Sequence, residues 1–252
     1  MEPETFSTEI ERNSRFNIVV NALDGLFFWT GYSFLAPNTI LPVYLSHFTS
    51  NPFLLGLIPF LNTSCYLIPQ LFASNWTSRV PRKKDIPVKI GFFSERLPIF
   101  LMPVSVALFA AHQPTLALIS LLLLFAWHAT GAGVVMVGWQ DMIARVIPMD
   151  RRGRFFGVTN FMGTAGGILS SLAVFWLLGH YVFPQGFILA FTAGAIGIFF
   201  SWFFLAQTRE PSVPSQQPSV SLSRYLKTLP AILRQDQNFR KLLIAQLVMG
   251  LN

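Results

Sequence analysis

Residues Phe155–Thr208 read FFGVTNFMGTAGGILSSLAVFWLLGHYVFPQGFILAFTAGAIGIFFSWFFLAQT, without one Asp, Glu, Lys or Arg. A membrane-spanning helix takes about 20 residues, so this stretch of about 54 fits two spans joined by a short turn at His180–Phe183. Gly25–Ser78 is a second charge-free stretch of about the same length. The 252-residue chain as a whole is 52% hydrophobic and only 12% charged, where soluble domains carry roughly 25% charged residues. This deficit excludes a soluble enzyme and a disordered tail. The single cysteine, Cys65, excludes a disulfide-knit secreted domain.

Working outward from these stretches gives six apolar segments, at about 16–45, 52–76, 88–111, 115–147, 155–181 and 184–207. A seventh apolar run starts near Phe239, and its 14 residues are too few to cross ~30 Å of hydrocarbon. The expected organisation is a cytoplasmic N-terminus (1–15), a six-helix transmembrane bundle (16–207), a cytoplasmic linker with a short amphipathic helix (208–238) and the start of a seventh span (239–252). The polar start carries Glu2, Glu4, Glu9 and Glu11 and lacks the basic region of a signal peptide, so the first span is expected to be retained. Linker character follows from TREPSVPSQQPSV at 208–220. The amphipathic helix follows from Leu222, Tyr225, Leu226, Leu229, Ile232 and Leu233 at helical spacing beside Arg224, Lys227 and Arg234.

Basic residues set the orientation. Of the 18, all but Arg96 lie before span one, between spans two and three, between spans four and five, or after span six. The intervening loops contain none. Lysine and arginine stay on the cytoplasmic side, so the N-terminus and the segment after span six are expected inside a cell membrane. A net charge of +7 would otherwise suggest nucleic-acid binding. Here the basic blocks alternate with apolar runs, so the expected partner is the lipid bilayer and not nucleic acid.

Charges within apolar segments cost roughly 2.5–3.5 kcal/mol each and mark function or helix locking. Asp24 lies nine residues beyond Arg15, about 13 Å deep at 1.5 Å per residue. Asn17, Asn21, Asp24, Phe28, Gly31, Leu35 and Asn38 recur at three- to four-residue spacing, which predicts a polar stripe on one face of the first helix. Two readings stand for Asp24: a proton-coupling or substrate-contacting carboxylate, and an acid paired with a base to lock helices. Glu95 and Arg96, adjacent on span three, read as an interhelical lock with Asp141 at the inner end of span four. Adjacent residues point in different directions on an α-helix and need not pair with each other, and Arg96 stands at a depth similar to Asp24. His128, mid-way along span four on a face with Gly131, Val135 and Trp139, reads either as a proton relay or substrate contact or as a plain hydrogen bond to a neighbouring helix. Gly163, Gly167 and Ser171, with Gly166 and Ser170 beside them, read as a helix-packing row. The chain has no HExxH, GxSxG, Walker or CxxC pattern and no metal constellation, so neither catalysis nor a cofactor is expected.

Two basic loops carry a family resemblance. Ser74-Asn75-Trp76-Thr77-Ser78-Arg79-Val80-Pro81-Arg82-Lys83 stands where the major facilitator superfamily has Gly-x-x-x-Asp-Arg-x-Gly-Arg-Lys between spans two and three. Arg79, Arg82 and Lys83 match it; Ser74, Ser78 and Pro81 replace the Gly, Asp and Gly. The region from Trp139 through Arg145 to Arg151-Arg152-Gly153-Arg154 is similar to that family's loop between spans four and five. The chain thus resembles the first half of a major facilitator transporter plus the beginning of its seventh span. The resemblance implies an all-α membrane protein with six spans built as two inverted three-helix repeats, spans one and four lining a central cavity. It implies a small-molecule substrate bound near the midplane, facing a second six-helix half that is missing from this sequence. The expected function is secondary transport of a small organic solute coupled to protons or another ion, with Asp24 as coupling acid and Asn21, Phe28, Asn38, His128 and Trp139 as further candidates. A non-transporting scaffold or receptor and an intramembrane enzyme are the alternatives.

Overall fold

The computed structural model describes residues 3–211 together with Gln237, Arg240 and Lys241. The amphipathic helix and the seventh span lie outside the described residues. Those residues contain no strand. They form α1 (Pro3–Ser33), a short α2 (Ile40–Ser46), α3 (Pro52–Thr77), α4 (Ile86–Phe109), α5 (Pro114–Val146), α6 (Met149–His180) and α7 (Gln185–Ala206). Helices α3 to α7 are each long and apolar enough to cross a membrane. Helix α1 is long enough but less apolar, because Asn17, Asn21 and Asp24 interrupt its hydrophobic run.

Prolines place several boundaries. The expected first span, 16–45, is not one helix. Pro37 cannot donate in a helical ladder and pushes the preceding residue out of the α region, and the chain tightens instead through Phe34 N–H to Gly31 C=O and Leu35 N–H to Tyr32 C=O. Helix α2 then resumes at Ile40. Helix α3 starts with Pro52 in its first turn and the Asn51 side chain accepting from the Phe53 N–H at 2.9 Å. The first half of α4 is π-wound, over Ile86–Ile90 and again over Phe92–Arg96, before becoming α-helical at Leu97. Pro98 has no N–H for the Ser94 carbonyl and its ring crowds that oxygen, so the turn before it opens out.

Helix α1 packs along α6 and α7, helix α5 packs along α3 and α4, and α4 meets α7. Small residues set the closest approaches. A methyl at Gly31 would stand 2.7 Å from the Gly194 carbonyl oxygen, and Gly131 and Gly133 of α5 lie directly against the backbones of Ser94 and Tyr66. The Gly163–Ser171 row does pack helices: Gly163 seats Trp29, Gly166 seats Thr30, and Ser170 Oγ donates to the Thr30 carbonyl.

Buried apolar residues fall into two clusters. One contains Leu35, Tyr44, Ile58, Ile99, Phe125, Phe191 and Ile198; the other contains Ala22, Met142, Ile143, Phe155 and Leu205. On α1, α5 and α7 a polar residue falls between members of the two: Asp24, His128 and Ser201. Glu95 and Arg96 of α4 sit just before Ile99. The bundle therefore has a polar level sandwiched between two apolar ones.

Candidate functional site

The polar level is built along the seam between α1 and α7. These helices run antiparallel, and their contacts recur every seven residues. Gly31 meets Gly194, seven residues on Asp24 meets Ser201, and a further seven on Asn17 reaches the Thr208–Arg209 segment. The Ser201 hydroxyl donates to the Asp24 carboxylate at 2.6 Å, and both residues are buried. Trp139 and the Glu95–Arg96 pair lie within electrostatic reach of the same carboxylate. Asn21, fully buried, donates to the Asn17 carbonyl at 2.8 Å and to Thr208 Oγ1 at 3.1 Å. Asn17 exchanges two hydrogen bonds of 2.9 Å with the backbone of Arg209, whose guanidinium lies over the Phe16 ring.

Glu95 and Arg96, expected to lock neighbouring helices, pair with each other within α4. Their ion pair is 2.6 Å long and buried. The wider π-turn changes the angle between adjacent side chains, and Gly91 leaves room for the guanidinium: a methyl there would sit 2.9 Å from Arg96 Nη1. The same nitrogen donates to the Pro87 carbonyl at 3.3 Å, while buried Arg96 Nε has no partner among the described residues. Asp24 is thus hydrogen-bonded to Ser201, and Arg96 to Glu95.

His128 meets this pair through the backbone. Its Nδ1 is 2.8 Å from the Glu95 carbonyl oxygen. A carbonyl only accepts, so this bond requires Nδ1–H and leaves Nε2 as the nitrogen that can gain or lose a proton. The imidazole lies 5.5 Å from the Tyr32 ring, and the Tyr32 hydroxyl donates to Asn62 Oδ1 at 3.1 Å. Phe28 stacks on Tyr32 at 5.8 Å. Helices α1, α3, α4 and α5 therefore contribute Tyr32, Asn62, Glu95 and His128 to one polar cluster, which the Glu95–Arg96 pair links electrostatically to Asp24.

A second charged group closes one end of the bundle. Glu210, its side chain fully buried, accepts from the Lys83 and Lys84 backbone N–H groups at 3.0 and 2.7 Å and from Arg145 at 3.4 Å. Lys83 faces half-exposed Asp141 at 3.7 Å, and Arg145 also donates to the Pro81 carbonyl. Burial, reinforced by the Arg145 charge, holds the Lys83 ammonium below its ordinary protonation range, and burial does the same for Lys84. Arg79 donates to Asn75, Arg151 to Ser14 and Arg152 to the Ile147 carbonyl, while Arg154 is exposed.

Of the residues expected at a site, Asp24, Asn21, Phe28, His128 and Trp139 lie on the polar level or border it. Asn38 does not, because α1 ends at Ser33 and leaves it exposed in the turn. Thr208 and Glu210, which open the stretch read as linker, are buried and bonded. Sequence reasoning missed Ser201, Tyr32, Asn62 and Glu210. Ser201 is a lone hydroxyl in an aromatic run, and Tyr32 stands one turn beyond Phe28 on the Asp24 stripe; both signals were present.

With this geometry in place, the comparison with protein families gives one match: the model described as Major Facilitator Superfamily covers residues 23–252. The chain belongs to the major facilitator superfamily. It is accordingly a multi-pass integral membrane protein of the major facilitator transporter type. Comparison with curated proteins and with solved structures gave no match. The superfamily match takes in α1 from just before Asp24, all of the polar cluster and the Glu210 group.

Proposed function

We propose that this major facilitator protein is a proton-coupled secondary transporter of a small organic solute, working by alternating access. The observation that carries the reading is the buried polar level with Asp24, His128 and the Glu95–Arg96 pair, and the half-buried Tyr32–Asn62 bond beside His128. Ionisable groups at this depth are costly and are retained along substrate and ion paths. In this reading Asp24 takes and releases the proton, and Tyr32, His128, Asn62 and Trp139 face the solute. A second six-helix half supplies the opposite wall.

The packing pattern supports six spans arranged as two inverted three-helix repeats, with α1 counted as a span. Exchanging spans one, two and three for four, five and six turns the α1 contacts with α6 and α7 into the α5 contacts with α3 and α4. The same exchange relates Gly31, which closes α1 on α7, to Gly131, which closes α5 on α4. The lysine and arginine bias of the loops supports a cytoplasmic N-terminus in this reading, with the protein in the cell membrane.

The test is a thermal-shift screen of the full-length protein against a metabolite library, followed by uptake of each stabilising compound into proteoliposomes. Uptake driven by an imposed proton gradient supports the proposal. Uptake indifferent to the gradient overturns proton coupling, and no uptake of any stabilising compound overturns transport.

A further inference from the structure

We propose that a polar arc of α6, centred on Asn160 and Thr164, is part of the wall that holds the solute, and that the portion of the solute it holds is uncharged. This rests on the transport reading above and extends it to a helix that supplied no candidate there. Asn160 stands at the depth of Asp24. A methyl on Gly25 would meet Thr159 Cγ2, and one on Gly163 would meet Trp29 at 2.8 Å. Helices α1 and α6 therefore run parallel, with Thr159–Asn160 opposite Asp24–Gly25. Asn160 is eleven residues beyond Met149, about 16 Å along the helix.

Both Asn160 and Thr164 are exposed at this depth, and neither side chain bonds to another group among the described residues. Nearby hydroxyls are all engaged. Ser33 Oγ donates to the Trp29 carbonyl at 2.7 Å, Ser171 Oγ to the Gly167 carbonyl at 2.9 Å, and Ser170 Oγ to the Thr30 carbonyl. An amide without a partner is costly against hydrocarbon and costs little against water or a polar ligand.

The arc has defined edges. Thr159, Gly163, Gly166 and Ser170 form the row buried against α1. Asn160, Thr164, Gly167 and Ser171 follow beside it at spacings of four, three and four. Exposed Phe161, Ile168 and Leu172 come next and form an apolar surface. The polar arc lies on the flank of the row away from α7 and toward Trp139. Phe155, on the other flank, shares a core cluster with Leu205 of α7, whereas Phe156 lies 6.3 Å from Trp139 of α5. Gly167 faces Ser33, and exposed Trp29 sits over Gly163.

This wall offers no accessible charge. Phe155–Thr208 contains none, and Asp24, Glu95 and Arg96 are each exposed by 4% or less. What remains accessible is an amide, a hydroxyl and indole rings. Such a surface suits an uncharged hydrogen-bonding group and would leave an ion unpaired.

The test places single cysteines on α6 of the full-length protein, with Cys65 and any other cysteine replaced by serine. Methanethiosulfonate ethyltrimethylammonium, added to both faces of the membrane, reacts with thiolates and so only where water reaches them. Asn160→Cys and Thr164→Cys are expected to react at least tenfold faster than Phe161→Cys and Ile168→Cys. An uncharged compound that stabilises the protein in the screen above should slow labelling of Asn160→Cys, and Asn160→Leu should weaken its binding about tenfold without lowering melting. Asn160→Cys as unreactive as Phe161→Cys overturns the wall, because the arc is then covered by protein or lipid. Labelling that no compound slows, or binding unchanged in Asn160→Leu, overturns solute contact. A stabilising set made up of ions overturns the uncharged class. Compounds that protect Asn160→Cys but are not taken up support this site and overturn transport alone.

Discussion

Ser201 Oγ donates to the Asp24 carboxylate at 2.6 Å, joining α1 to α7 at the polar level of the bundle. The bond satisfies one oxygen of a buried acid. A charge-assisted bond of this kind contributes roughly 1.5–3 kcal/mol.

Replacing the acid and replacing its donor should therefore separate coupling from stability. Asp24→Asn keeps the side-chain shape and a carbonyl acceptor for Ser201, so melting should change by less than about 1 kcal/mol. Proton-driven uptake should nonetheless fall to the level seen without a gradient. Ser201→Ala should lower stability by about 1–3 kcal/mol while retaining coupled uptake. Uptake by Asp24→Asn with unchanged pH dependence would exclude the coupling role.

Tyr32→Phe removes the hydroxyl that reaches Asn62 and leaves the ring beside His128. If this cluster holds the solute, KM should rise roughly tenfold, the worth of one polar contact of about 1.4 kcal/mol, with kcat little changed. His128→Gln should weaken solute binding and lose the bond to the Glu95 carbonyl. Binding of the stabilising compound, followed by thermal shift, checks both.

The glycines at the helix crossings allow a steric test. Gly131→Ala places a methyl against the Ser94 backbone, which cannot rotate away, and should destabilise by about 1–3 kcal/mol. Gly56→Ala places it in open space and should leave melting unchanged or slightly higher. Thermal denaturation in detergent distinguishes them.

The Glu210 group predicts a dependence on pH. Glu210→Ala takes one acceptor from the partly exposed Arg145 and strips two backbone N–H groups of theirs, and should cost about 1–3 kcal/mol. Lys83 is held below its ordinary range by burial and by Arg145. The unfolded chain therefore binds this proton more tightly than the folded one. Stability should rise with pH between the folded-state value and the ordinary one of 10.5. Melting curves through that alkaline window should show the rise in the parent and lose this contribution in Lys83→Met.

Much of the fold was legible because membrane topology is written in where charge is absent. Arg79–Lys84 and Arg145–Arg154 marked two turns, and Phe155–Thr208 marked two helices. Asp24 and His128 stood out as costly residues in apolar runs. Their partners did not, since Ser201 lies 177 residues from Asp24 and only the packing of α1 on α7 brings them together. Asn38 was misplaced because the 3.6-residue pattern was carried through Pro37. Glu210 was overlooked because proline- and serine-rich sequence follows it directly and masked its burial.

The two π-turns at the start of α4 bear on how this region can vary. Each arises as one residue more than an α-helix needs over the same rise, so the stretch 86–96 holds slack. A single-residue deletion there can be absorbed by rewinding one turn, leaving α4 beyond Leu97 in its place. The cost falls on the Glu95–Arg96 pair, whose geometry depends on the wider turn. Chain length in this segment and the buried ion pair are therefore bound together: a relative one residue shorter here should also carry different residues at both positions.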